Sequence, residues 1–285
     1  MRSIVLLALA ACAHAAPPPS SAPAPAPAPA PLAHDGTYIT VRGIKTYYET
    51  HGSGPPLLLL HGGTGSADDF DRNTPALAAH FRVITPERMG HGRTADVPDR
   101  PFDYHEMAED MIAFMDAIHV AKADLVGWSD GGIVALDIAM HHPDRVGKLA
   151  VTGANFRVDG LAPEIVTWLR DVKPDDWPKT MLDNYKRLSP DGAAHWPVVF
   201  ERLRKMLLSQ PSYTNEQLKT IKVPTLVMAG DDDVIRIEHT IELARTIPGA
   251  QLCIYPGGHF WFNKKADAFN AIILEFLAAP PPTGQ

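Results

Sequence analysis

From Thr37 onward, short apolar runs alternate along the chain with longer segments that show helical periodicity. This alternation is typical of βαβ units, in which strands form a parallel sheet and helices cover both of its faces. The pattern predicts one α/β domain over residues 37–279, with a mostly parallel eight-stranded sheet. We expect strands at residues 37–41, 45–50, 57–60, 81–85, 124–126, 148–152, 224–229 and 251–255, the first two as an antiparallel pair. We expect helices at residues 67–80, 104–118, 131–141, 238–247 and 266–277.

Residues 155–221 interrupt this alternation. They show no convincing strand pattern, but they contain several helical pieces and four large aromatic residues, Trp168, Trp177, Tyr185 and Trp196. An insertion of this kind late in an α/β sheet favours a helical cap over the functional edge, with the aromatic side chains as the wall of an apolar pocket. The alternative is an appendage that only adds packing.

Proline is concentrated outside this domain. Eleven of the 27 prolines lie at residues 17–31 and 280–282, and residues 22–31 alternate alanine with proline. Proline at every second position removes amide donors and excludes a helix, so residues 13–36 are expected to form an extended linker. Residues 280–285 are expected to be a short tail.

The first twelve residues resemble an export signal. Residues 4–11 form a short apolar run after Arg2, and Cys12 follows small residues as in a bacterial lipoprotein signal. We therefore expect residues 1–12 to be a signal peptide, with acylation of Cys12 anchoring the protein to a bilayer of the bacterial envelope. The alternative is an A-x-A cleavage site at residues 13–15, which would give a soluble secreted protein.

Composition excludes several classes of protein. The chain has 26 Lys and Arg against 33 Asp and Glu, a formal net charge of −7, and no dense basic run, so a nucleic-acid-binding surface is not expected. Its two cysteines, Cys12 and Cys253, cannot supply a disulfide framework. No apolar run reaches the roughly 18 residues of a transmembrane helix.

The segment Gly127-Trp128-Ser129-Asp130-Gly131 follows a predicted strand and precedes a predicted helix. A G-x-S-x-G pattern in this context is the signature of a nucleophile turn. The turn is so tight that the residues two before and two after the serine must lack side chains, a condition that Gly127 and Gly131 meet. Ser129 is therefore the predicted nucleophile, raised above the sheet edge at the positive end of a helix.

A serine hydroxyl needs a general base, and the base needs a carboxylate to orient it. His259 follows the last predicted strand in a Pro-Gly-Gly-His turn, and Asp233 ends a run of three aspartates after the preceding strand. The order Ser, Asp, His along the chain matches this class of hydrolytic site. We therefore predict a catalytic triad of Ser129, His259 and Asp233, with Asp231 serving the turn.

The loop His61-Gly62-Gly63 follows another buried strand and can present a backbone N–H group to a developing oxyanion. We expect the N–H groups of Gly63 and Asp130 to form the oxyanion hole. His61 and the charged loop at residues 87–94 are expected to be structural. The sequence contains no zinc-binding histidine motif and no dinucleotide motif, so neither a metal nor a cofactor is expected.

In this order, these motifs resemble the α/β-hydrolase superfamily over nearly all of residues 37–277. The resemblance implies a mostly parallel sheet with helices on both faces and a helical cap after the sixth strand. It disfavours dehalogenase and epoxide hydrolase activity, because those members of the superfamily use aspartate where this chain has Ser129.

Two segments, GWSDGGI at residues 127–133 and GAN at residues 153–155, more closely resemble the biphenyl hydrolase-like family, to which valacyclovir hydrolase belongs. Members of that family cleave α-amino-acid esters, and their acidic residue after the nucleophile receives the ammonium group of the substrate. The resemblance therefore implies this role for Asp130 and makes Trp128 a second candidate for substrate binding. A carboxylate beside an oxyanion hole opposes the developing negative charge unless a cation neutralises it. The alternative is that Asp130 points into a structural hydrogen-bond network.

The expected function is hydrolysis of a small carboxylic ester through an acyl-enzyme, with α-amino-acid esters as a candidate subclass. The same triad serves aminopeptidases, amidases, thioesterases, C–C bond hydrolases and cofactor-free haloperoxidases, which stay open as alternatives. Outside the enzymes, the alternative is a non-catalytic binding lipoprotein of the envelope.

Overall fold

The structure, a computed structural model, describes residues 32–280. The predicted signal peptide, Cys12, most of the proline-rich linker and residues 281–285 of the tail lie outside the described residues. Within the described range, no helix is long and apolar enough to cross a membrane.

Eight strands form one sheet, in the order β1-β2-β4-β3-β5-β6-β7-β8. They are β1 (Thr37–Val41), β2 (Ile44–His51), β3 (Pro56–Leu60), β4 (Arg82–Pro86), β5 (Ala123–Trp128), β6 (Val146–Thr152), β7 (Thr225–Asp232) and β8 (Gln251–Gly258). The strand β2 runs antiparallel to both β1 and β4, and all other neighbours are parallel. The predicted eight-stranded, mostly parallel sheet is therefore confirmed.

The helices cover both faces of this sheet. They are α1 (Thr74–Ala78), α2 (Tyr104–Ala117), α3 (Asp130–His141), α4 (Pro163–Asp171), α5 (Lys179–Leu188), α6 (Trp196–Ser209), α7 (Asn215–Leu218), α8 (Ile237–Thr246), α9 (Trp261–Lys264) and α10 (Ala266–Ala278). One prediction is wrong in part, because the expected helix at residues 67–80 is divided into a 3-10 turn, Ala67–Phe70, and α1. Pro75 sits in the first turn of α1, where its ring prevents an uninterrupted helix from the preceding residues.

The core lies in two layers on opposite faces of the sheet. Strand β3 shows the division, since Leu58 and Leu60 pack into one layer and Leu57 and Leu59 into the other. The first layer contains apolar residues of α2, α3, α8 and the helices between β6 and β7, and the second contains those of α1, α9 and α10. Burial on both faces is typical of a parallel sheet covered by helices.

Helices α4 to α7 lie between β6 and β7, in the predicted cap segment. Their aromatic side chains pack mainly against one another, with ring centroids 5.1 Å apart for Trp168 and Trp177, 6.3 Å for Trp177 and Trp196, and 5.1 Å for Tyr185 and Trp196. Trp196 is 1% exposed and Tyr185 is 2% exposed. Trp177, Tyr185 and Trp196 therefore form the interior of the cap rather than only a pocket wall, because a helical insertion must bury its own apolar faces, whereas Trp168 is 38% exposed.

Candidate active site

The parallel strands β3, β4, β5, β7 and β8 all end at one edge of the sheet. Four predicted site residues follow these strand ends: Gly63 after β3, Ser129 after β5, Asp233 after β7 and His259 after β8. The carboxyl edge is where open α/β sheets bind their ligands.

Ser129 occupies the tight turn between β5 and α3. Its backbone has φ 53° and ψ −122°, a conformation that a residue with a side chain rarely adopts. A Cβ atom at Gly131 would lie 2.0 Å from the carbonyl oxygen of Leu60, and one at Gly127 would lie 2.4 Å from that of Gly131. Both positions therefore require glycine, which confirms the steric reason given for the motif.

The structure brings the three predicted triad side chains into one hydrogen-bonded chain. His259 Nε2 lies 3.0 Å from Ser129 Oγ, and His259 Nδ1 lies 2.6 Å from Asp233 Oδ1. Asp233 Oδ1 also accepts a hydrogen bond from the amide of Ile235 at 3.1 Å. Burial acts to raise the pKa of Asp233, but its interaction with His259 outweighs burial and holds that pKa below its usual value. The carboxylate that faces the imidazole is therefore ionised at neutral pH.

Two residues, Gly153 and Trp128, border His259. Gly153 follows β6 with φ 61°, and a Cβ atom there would lie 2.9 Å from the imidazole. Trp128 donates its indole N–H to the carbonyl oxygen of His259 at 3.0 Å. The side chain of Trp128 is 1% exposed and packs in the second core layer with Phe262, and its contact with substrate stays a prediction. The residue before the nucleophile thus lies beneath the site and supports His259.

The two amides predicted to form an oxyanion hole, those of Gly63 and Asp130, donate to no protein group within residues 32–280. The cap contacts the first of them indirectly. Thr64 donates its hydroxyl to the carbonyl of Gly63 at 2.7 Å and accepts the indole N–H of Trp177 at 3.2 Å. Leu203 of α6 also lies beside Gly63. The loop that carries Gly63 is therefore held from the cap side.

The side chain of Asp130 is buried at the same loop, with 3% of the residue exposed. Its Oδ1 atom accepts a hydrogen bond from the hydroxyl of Tyr104 at 2.9 Å. Its Oδ2 atom has no hydrogen-bond partner in the described part of the chain, and a Cβ atom at Gly63 would lie 2.7 Å from it. Burial raises the pKa of Asp130, although the nearby Arg88 charge and the Tyr104 hydroxyl oppose this rise. One oxygen thus belongs to a structural network, and the other lies beside the oxyanion loop.

Arg88, which follows β4, braces the loop before Gly63. Its buried guanidinium donates to the carbonyl oxygens of His61 at 2.6 Å and Gly62 at 3.0 Å. The amide of Arg88 donates to His61 Nε2 at 3.1 Å, and His61 Nδ1 donates to the carbonyl of Gly62 at 2.8 Å. Burial, followed by the Arg88 charge, lowers the pKa of His61 well below its usual value, so this imidazole is neutral. These contacts are structural, as expected for His61.

Two further loops hold the edge of the sheet. Glu87 is fully buried and accepts hydrogen bonds from the amide of Ala67 at 3.0 Å and the guanidinium of Arg93 at 2.6 Å. Burial raises the pKa of Glu87 to about 7. Asp231 accepts a hydrogen bond from the amide of Gly257 at 2.8 Å, which connects the turn after β7 to β8.

Within residues 32–280, two groups of His and acidic side chains have spacing that suits a metal, and neither contains a triad residue.

Comparison with known proteins identifies the family of this chain. Residues 57–272 match the model of the alpha/beta hydrolase family. The chain belongs to the α/β hydrolase family. Over 268 residues it is 31% identical to the protein named "Putative carbamate hydrolase RutD" of Caulobacter sp. (strain K31), across 84% of this chain and 97% of that protein. Over 270 residues it is 30% identical to a non-heme haloperoxidase of Rhodococcus erythropolis, across 82% of this chain and 96% of that protein.

Solved structures show the same relationship. A crystallised hydrolase of Pseudomonas aeruginosa PA01 has a TM-score of 0.66 and 27% sequence identity, and the match covers 87% of this chain and all of that one. The superfamily resemblance and the fold class predicted from the motifs are both confirmed.

Proposed function

We propose that this protein is a serine hydrolase of carboxylic esters. The observation that carries this proposal is the unbroken hydrogen-bonded chain from Ser129 through His259 to Asp233, with distances of 3.0 and 2.6 Å. Nucleophile, base and orienting carboxylate in this geometry are the arrangement that acyl transfer requires. The triad lies at the carboxyl edge of the sheet, where open α/β sheets bind their ligands.

The reaction follows from the positions of these groups. Ser129 Oγ attacks the ester carbonyl carbon while His259 Nε2 takes its proton, and the ionised Asp233 stabilises the imidazolium. The N–H groups of Gly63 and Asp130 donate to the oxyanion of the tetrahedral intermediate. His259 then gives its proton to the leaving alcohol, and the same imidazole activates the water that releases the acyl group. These steps need no cofactor.

The buried carboxylate of Asp130 supports α-amino-acid esters as the substrate subclass. Its Oδ2 atom lies beside Gly63 and has no partner in residues 32–280. A buried carboxylate oxygen without a donor is unfavourable, and an ammonium group next to the scissile carbonyl would neutralise the carboxylate where binding also helps the reaction.

Carbamates are a second candidate class, supported by the relative that is named a carbamate hydrolase and is 31% identical. The nitrogen of a carbamate is bonded to the carbonyl carbon, so its N–H group could donate to Asp130 Oδ2 from nearly the same place. The two classes differ in charge, since only the amino ester brings a cation.

Steady-state kinetics on a substrate panel tests the proposal. The panel pairs amino-acid p-nitrophenyl esters with their N-acetylated forms, and adds a neutral ester and a p-nitrophenyl carbamate. We expect kcat/KM for the amino ester to exceed that for the N-acetylated ester at least about tenfold, the effect of about 1.4 kcal/mol. Failure of the folded protein to hydrolyse any ester or carbamate contradicts the proposal, whereas equal rates for the paired esters contradict only the amine subclass.

For the N-terminal region, we propose acylation of Cys12 and attachment to the bacterial envelope. The support is the short apolar run followed by a cysteine, together with the proline-rich linker that separates Cys12 from the domain. Detergent-phase partition of the full chain should be lost in Cys12→Ala. An unchanged partition would favour simple secretion.

A further inference from the structure

Two histidines on neighbouring helices share one carboxylate oxygen. His105 lies in the first turn of α2, and Asp137 and His141 lie one turn apart on α3. The Nδ1 atoms of His105 and His141 lie 2.9 and 3.1 Å from the same atom, Asp137 Oδ1. His141 Nδ1 also lies 3.0 Å from the carbonyl oxygen of Asp137. The candidate donor atoms of the three side chains all lie within 4.8 Å of one another.

The three side chains differ sharply in burial. The side chain of Asp137 is 1% exposed, whereas those of His105 and His141 are 51% and 41% exposed. Asp137 Oδ2 accepts a hydrogen bond from the hydroxyl of Tyr213 at 2.9 Å. The Tyr213 hydroxyl therefore holds a buried carboxylate in a fixed orientation beneath two imidazoles that solvent can reach. Hydrogen-bond partners of this kind commonly orient the ligands of a metal ion.

We propose that His105, Asp137 and His141 bind one zinc ion, with water completing the site. Two imidazole nitrogens and one carboxylate oxygen are donors that Zn²⁺ takes in tetrahedral sites, at about 2.0–2.1 Å. Donors at that distance in a tetrahedron lie about 3.3 Å apart. The observed 2.9 and 3.1 Å separations therefore need only small side-chain shifts to admit the ion. Each neutral imidazole frees its Nδ1 lone pair by carrying its proton on Nε2 instead.

Hydrogen bonding alone explains only part of this cluster. A buried carboxylate needs donors, and Tyr213 with one histidine would already supply both oxygens of Asp137. The convergence of two rings on one oxygen, with centroids 4.7 Å apart, goes beyond that need. No Lys or Arg side chain within residues 32–280 pairs with Asp137, so its negative charge is available to a cation.

A second group of side chains has suitable spacing, namely His34, Glu49 and Asp68. In this group the carboxylate of Asp68 is already paired with arginine. Arg93 and Arg187 donate to Asp68 at 2.8 and 2.7 Å. These guanidinium groups already supply the positive charge that a metal would bring, so the proposal is limited to the cluster between α2 and α3. A zinc ion there would join the two helices that also meet through Tyr104 and Asp130 beside the active site.

Isothermal titration of the tag-free, chelator-treated full chain with zinc chloride tests the proposal. We expect one equivalent to bind, and the double variant His105→Asn/His141→Gln to weaken that binding at least about 100-fold. The glutamine keeps an amide donor for Asp137. His80→Asn, which removes an exposed histidine elsewhere, is the matched control and should bind as the unsubstituted protein does. His259→Ala should also retain the site, which separates it from the triad.

Three readouts do not depend on the fold of the double variant. Co²⁺ bound to the unsubstituted protein should give the intense visible absorption of a four-coordinate site and be displaced by one equivalent of Zn²⁺. Tyr213→Phe should weaken binding about tenfold, because Asp137 loses its orienting donor. Free Zn²⁺ at about ten times Kd should raise Tm by about 3–5 °C. Absence of one-to-one binding, or equal binding by the double variant, would overturn the proposal.

Discussion

The two sides of Ser129 are built differently. On one side, His259 and Asp233 come from the turns after β8 and β7, and none of their side-chain hydrogen bonds within residues 32–280 involves the cap. On the other side, the Gly63 loop is held by Thr64 and through it by Trp177 of the cap.

Because of this difference, we expect the reaction class and the substrate preference to depend on different sides of Ser129. The triad is fixed by the sheet, so the reaction class follows from parallel strand ends and glycine-bounded turns. The Gly63 side combines buried charge with cap contacts, so it is where substrates are expected to be distinguished. Substitutions on the two sides should therefore change different kinetic quantities.

The largest effect is expected on the triad side. Asp233→Asn should lower kcat about 10⁴-fold, because the neutral amide neither holds the imidazole tautomer nor stabilises the imidazolium. Asp231→Asn is the matched control, since the one side-chain hydrogen bond of Asp231 within residues 32–280 is to the amide of Gly257, and the kcat of this variant should stay within about twofold. A decrease in kcat of less than tenfold in Asp233→Asn would show that this carboxylate does not take part in the mechanism.

On the other side, Asp130→Asn should alter selectivity. We expect the preference for amino esters over their N-acetylated forms to fall about tenfold, because the ammonium group loses its charge partner. The rate with the neutral ester should be kept or raised. Asp183→Asn removes an exposed carboxylate of the cap and should leave the ratio unchanged. An unchanged ratio in Asp130→Asn would show that the carboxylate is only structural.

The pH dependence of this selectivity is a second test of the role of the Asp130 carboxylate. The pKa of Asp130 is raised, so the carboxyl becomes neutral at a higher pH than usual as the medium is acidified. Selectivity for the amino ester should therefore decline on the acid side, and Tyr104→Phe should move this decline to higher pH by removing a bond to the ionised form. The test is the ratio of kcat/KM values measured from about pH 4.5 to the α-amino pKa near 8. A flat ratio would contradict the role of Asp130.

A smaller effect is expected at the contact between cap and loop. Trp177→Phe removes the indole donor to Thr64 and should lower kcat/KM about fivefold, as for one net hydrogen bond of about 1 kcal/mol. Trp168→Phe changes the partly exposed ring stacked on Trp177 and serves as the control, with an expected change under twofold. Equal effects of the two variants would mean that the cap acts by packing alone.

The sequence predicted the triad side well. Gly127 and Gly131 bracket Ser129 in a pattern that has one steric explanation, and Asp233 and His259 follow strands whose apolar runs are readable. The structure brings all three side chains of the predicted triad together. Such features are local in sequence, which is why they can be predicted without a structure.

The other side depends on contacts between distant residues. Tyr104 and Asp130 are 26 positions apart, and Trp177 and Thr64 are 113 apart, so no local pattern reveals either bond. The hydrogen bond from Trp128 to the carbonyl of His259 was likewise not predicted, because the direction of this side chain depends on the turn and not on the motif letters.

Covalent labelling of the full chain with a fluorophosphonate, followed by peptide mass spectrometry, tests directly whether Ser129 is the nucleophile. We predict one adduct per chain on Ser129, no labelling of Ser129→Ala, and much slower labelling when His259 is replaced by alanine. A folded protein that is not labelled, or that is labelled equally after Ser129→Ala, would contradict the assignment of Ser129 as the nucleophile.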